Sequence, residues 1–83
     1  MAEGDARATR ASLRHELELV EAESAQLRES ASRLRRQIGE RSFGPIDESE
    51  RAALITAAEE QEALVDSLET RREVLRERIE PSG

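Results

Sequence analysis

The chain has no cysteine, no tryptophan and no tyrosine, and Phe43 is its only aromatic residue. Without cysteine there can be no disulfide, thiolate metal site or cysteine nucleophile. One histidine, His15, cannot build a histidine metal cluster within one chain. With so few aromatics, a thick globular core cannot be filled. No apolar run approaches transmembrane length. Met1-Ala2-Glu3-Gly4-Asp5 lacks the apolar segment of a signal peptide. No Gly-rich phosphate loop, Ser-His-Asp arrangement or zinc motif is present. A cytoplasmic protein without catalysis of its own is the expectation.

What is abundant is charge and helix-forming residues. Charged side chains make up 39 % of the 83 residues, and the net charge is −6. An acidic chain has no general attraction for DNA or an anionic membrane. Ala, Glu, Arg and Leu dominate, and all four favour helix. Eighty-three residues allow one domain at most.

The apolar residues recur with the spacing of a coiled-coil seam. Leu13, Leu17, Val20, Ser24, Leu27, Ala31, Leu34 and Ile38 alternate in steps of four and three. After Phe43-Gly44-Pro45 a second stripe follows: Leu54, Ala58, Gln61, Val65, Leu68, Arg72, Leu75 and Ile79. Two such stripes around a short break predict an all-α fold, an antiparallel two-helix coiled-coil hairpin. Residues 1–8 are expected to be a frayed tail. Helix 1 is predicted over about 9–40, with Thr9 or Ser12 as N-cap. The turn is placed at 41–46, helix 2 at 47–80, and a short tail at 81–83. Gly44 permits a positive φ, and Pro45 cannot continue a helix. Asp47-Glu48-Ser49-Glu50 reads as an acidic capping box, with Asp47 as N-cap and Glu50 at N3.

Polar residues interrupt the seam. Folding back near Gly44 places Gln61 close to Arg28–Ala31 and Ser24 close to Val65–Leu68. It places Arg72 within reach of Glu16 and Glu21. Such residues fix register at a cost in stability. Helix 2 also carries Ile55, Ala57, Leu64 and Val74 beside its seam. These either broaden the internal core or offer a flank to a partner.

A slender core of this kind is marginal alone, so a protein partner or a homodimer is expected. Asp47, Glu48 and Glu50 put three carboxylates at one tip. Asp47 and Glu50, three apart, share one side of the first turn and could help hold a hard divalent cation. Two carboxylates bind such an ion weakly, so further ligands would have to come from a partner's site.

The run Asp47-Glu48-Ser49-Glu50, then Ala52, Ala57, Glu59-Glu60-Gln61 and Leu64, resembles the tip and second helix of Gre-type transcript cleavage factors. Arg51, Ala53 and Leu54 stand where that family has Asn, Glu and Tyr. The resemblance covers about half the chain. It implies a coiled-coil hairpin that enters the secondary channel of RNA polymerase. By the same resemblance Asp47 and Glu50 would help the polymerase hold a second magnesium ion. Arg35, Arg36 and Arg41 behind the tip would then face displaced RNA.

Two other readings come from the residues themselves. In an assembly or adaptor module, the hairpin pairs with a copy as a four-helix bundle or binds a sigma factor or enzyme subunit side-on. Sensitivity would then lie at Ala57, Leu64 and Val74, with the tip indifferent. In a small-ligand sensor, Arg33, Arg36 and Arg72 would hold a nucleotide at a dimer interface.

Overall fold

The computed structural model describes residues 2–41 and 47–80, with side chains from residue 9 to 40 and from 47 to 80. Two helices make up the molecule, α1 (Ala2–Arg41) and α2 (Glu48–Ile79). They lie side by side in a rod of 67 × 20 × 16 Å. The fold is the expected all-α helical hairpin. Of the turn predicted over 41–46, Arg41 belongs to α1, and residues 42–46 lie outside the described ones.

The boundaries follow from local chemistry, with one correction. Residues 2–8, expected to be frayed, are the first two turns of α1. Ala2, Ala6 and Ala8 are strong helix formers, and acidic residues suit a helix start. Thr9 and Ser12 therefore lie inside the helix rather than at its N-terminus. Gly39 lies inside α1, which runs on to Arg41. A Cβ at Gly39 would meet open space, which places it on the outer surface. Helix α2 begins where expected. Asp47 has an extended backbone (φ −71°, ψ 126°), and its Oδ1 accepts the Ser49 N–H at 3.0 Å. The Arg51 N–H then donates to the Asp47 carbonyl at 3.0 Å, closing the first helical bond. At the other end the Glu80 N–H donates to the Arg76 carbonyl at 2.8 Å. Arg76 and Arg78 complement the negative end of the helix dipole.

The core is one seam and little else. Among the described residues, Val20, Ala31, Ile38, Ala58, Val65 and Leu75 are its buried apolar members, and Ser24 is buried with them. All seven belong to the two stripes. Leu13, Leu17, Leu27, Leu34, Leu54 and Leu68 are half-buried, since two helices cover only one side of each other.

Writing the heptad as a to g, with the seam at a and d, orders the flanks. In an antiparallel pair e faces e and g faces g. On the e flank, Arg35 pairs with Glu62, Arg28 with Glu69, and Arg76 reaches Glu21 at 4.0 Å. On the g flank, Arg71 pairs with Glu16. Midway between these flanks, Leu17 lies level with Leu75 and Ala31 with Gln61.

Charge blocks fix this register. Helix α1 carries four glutamates and no cation over 16–23, then four arginines over 28–36. Helix α2 carries five acids and no cation over 59–69, then four arginines over 71–78. Only the antiparallel alignment puts each block against its opposite. Exposed ion pairs contribute little each and are screened by salt. The seam therefore holds the helices together, and the pairs select the alignment.

The Arg35–Glu62 pair is bidentate, at 2.6 and 3.2 Å. Its hydrogen bond holds the Glu62 carboxyl below its ordinary value of 4.5; partial desolvation opposes this, and the charge of Arg35 adds to it. The same hydrogen bond raises Arg35. A carboxyl depressed in the folded state stabilises the fold above its unfolded pKa, and that contribution is lost as pH falls through the folded value. Glu62→Gln should thus melt below the parent at neutral pH, with the gap closing below pH 4.5. Thermal melts across an acid titration test this. A gap unchanged in acid would remove the pair from the account.

Candidate functional site

Two regions are candidates, the acidic tip and the flanks of the rod. Asp47, Glu48 and Glu50 are all exposed. Glu48 and Glu50 lie in the first turn of α2, where the helix dipole favours negative charge. Asp47 Oδ1 is occupied by the cap. Among the described residues, no group of three or more His, Cys, Asp or Glu side chains is gathered closely enough to hold a metal ion. Asp47, the N-cap, and Glu50, in the first turn, stand at the start of α2, where the sequence places them. The cap itself is testable. Asp47→Ala should lower stability by about 1 kcal/mol, and Asp47→Asn by much less. Equal melting of the two variants in calorimetry would show that the cap contributes nothing.

The seam shows where polar residues strain the packing. Ser24 is 5 % exposed. Its Oγ, Gln61 Oε1 and Arg72 Nε are buried atoms without a hydrogen bond. Arg72 Nε lies 3.4 Å from Glu21 Oε2, an ion-pair distance lacking hydrogen-bond alignment. Of the two partners expected for Arg72, Glu21 is the one beside it, and Glu16 goes to Arg71. A notch of about 120 Å³ lies against Ser24, Arg72 and Glu21.

The two flanks differ. On the e side an open groove of about 450 Å³ has Ala31 and Val65 in its floor and Arg28, Arg35 and Glu62 on its walls. Both guanidiniums are engaged with glutamates. The opposite flank, built from positions c and g, carries the exposed large apolar side chains. Leu19 is 57 % exposed at a c position, Leu64 53 % at g, and Val74 46 % at c. Ala57, another g residue, is half-buried.

No protein-family model, curated protein or solved structure matches the chain.

Of the residues expected to bind a partner, Leu64 and Val74 are open to one, and Ala57 joins them on the same flank. Ile55, which was grouped with them, sits at an e position on the other side. Leu19, beside the seam residue Val20, is not among the residues the sequence reading expected to bind a partner. The signal was there: c and g recur by four and three just as a and d do, so a second seam can be read on the same helix. Within one hairpin the three arginines that the nucleotide reading places at a dimer interface stand apart. Arg72 stands level with the Glu21 region, about 18 Å along the axis from Arg33 at 1.5 Å per residue. Arg33 and Arg36 are exposed on α1. Among the described residues no helix is long and apolar enough to cross a membrane.

Proposed function

We propose that this chain is a protein-binding hairpin that engages its partner side-on, along the c/g flank, as an assembly module rather than as an enzyme. One observation carries the reading. Leu19, Leu64 and Val74 are the exposed large apolar residues of the described chain, and all three lie on one flank. The e flank is laced with ion pairs and offers a partner charges that are already matched. Interface centres are depleted in charge and enriched in large apolar groups, so the c/g flank is the better docking surface. The open grooves argue in the same direction, because a water-filled groove cannot shield a reacting group.

The rival is tip insertion into RNA polymerase, which the Gre-type resemblance implies. Affinity capture with the tagged chain separates the two. Leu64→Glu with Val74→Glu should abolish partner recovery, and Asp47→Asn with Glu50→Gln should leave it intact. The reverse pattern, with core RNA polymerase among the recovered proteins, would replace side-on docking by the tip mechanism.

A further inference from the structure

We infer that the partner on the c/g flank is a second copy of this chain, docked with its rod parallel to the first and both tips at the same end. The inference rests on the side-on reading and names its occupant. A two-fold axis along the rod would lay α1 of one copy on α2 of the other, c/g seam against c/g seam. Such an axis permits no sliding, so each residue of α1 meets the part of the partner's α2 that is already level with it inside one hairpin. At that level Leu19 faces Val74 of the other copy, covering two of the three exposed apolar side chains at once. Arg33 faces Glu60, both exposed c residues. Gln26 faces Ser67, a neutral pair. Leu64 arrives beside Ser30, where no charge opposes it. The charge blocks that set the internal register set this one too, since acidic 16–23 again meets basic 71–78 and basic 28–36 meets acidic 59–69.

Size supports the same occupant. A rod face of 67 × 20 Å can cover the roughly 800 Å² per partner of a standard interface. Need supports it as well. One hairpin buries seven residues among those described, and none of its large side chains is completely enclosed. Two such hairpins packed as a four-helix bundle give each helix two packed sides.

The absence of cysteine makes the test direct. Light scattering of the parent chain at micromolar concentration should give a dimer. Leu19→Glu with Leu64→Glu should raise the dimer dissociation constant about 100-fold or more. Position is read from single-cysteine chains under mild oxidation. Leu19→Cys mixed with Val74→Cys should give a cross-linked pair far faster than either chain alone. Preferential cross-linking of Leu64→Cys to Val74→Cys would mean tips at opposite ends and would overturn the arrangement. A chain monomeric at every concentration would overturn self-association altogether. Side-on docking would survive that result if the flank variants still lost a different protein and the tip variants did not.

Discussion

Leu75→Ala is expected to destroy the cooperative helical fold of the isolated hairpin. Leu75 is 2 % exposed and is the one leucine among the buried residues described. Removing a buried leucine side chain costs about 2–5 kcal/mol, the lost transfer energy plus the cavity left behind. Whole domains are stable by only ~5–15 kcal/mol, and a single-seam hairpin belongs at the low end. No second layer is present on that side to collapse into the gap. Circular dichroism at a concentration where the chain is monomeric should show a large loss of helix and a much lower melting temperature. Leu64→Ala is the control. Its side chain is half in water, so it should change monomer stability by under about 0.5 kcal/mol. Equal effects at the two positions would contradict the packing described.

Arg72→Leu combined with Gln61→Leu should act in the opposite direction and raise the melting temperature. Both residues occupy seam positions, and both keep a buried polar atom without a hydrogen bond. Each such atom withholds about 1–3 kcal/mol that a satisfied or apolar group would not. Leucine also adds apolar area to the seam. For a chain of this size 1 kcal/mol corresponds to about 4–8 °C. A gain on that scale should come with a loss of uniqueness. Polar seam residues disfavour alternative registers and assemblies, so the double variant should sediment as a mixture of species. A variant that is less stable than the parent would show that Arg72 and Glu21 form a net favourable pair. A variant that is more stable but still a single species would give the work of specifying register to the charge blocks alone.

These two results test different features of the same seam. The first asks whether the apolar residues hold the helices together. The second asks whether the polar ones are tolerated for the sake of specificity. The flank residues stand apart from both, because the monomer does not need them. That separation gives the self-association test its force. A glutamate at Leu19 or Leu64 has room to point into water in the monomer and should leave the hairpin folded.

The N-terminal turns show how far local signals reach. Thr9 and Ser12 are good cap residues, yet α1 passes through both. The alanines ahead of them carry helix preference of their own, and a cap is used only where the helix has reason to stop. Asp47 is the contrasting case. The Gly44-Pro45 pair just before it cannot continue a helix, so the cap there coincides with the boundary.

The sequence by itself determined two helices, their antiparallel pairing and the residues of the seam. Those features depend on periods of three and four along one helix and on a cap beside a breaker, and both are local properties of the chain. It also showed that Arg72 would find a glutamate, without showing which one. Only the tertiary structure decided that Leu19 of α1 lies on the same flank as Leu64 and Val74 of α2, with the Arg71–Glu16 pair beside them and the Arg28, Arg35 and Arg76 pairs on the opposite flank. Sides of a rod have no meaning until a second helix is laid against the first. The e and g positions flank the seam on opposite sides of each helix, and laying the second helix over the seam makes those sides opposite faces of the molecule; exposure follows from that packing rather than from the hydrophobicity of any one residue.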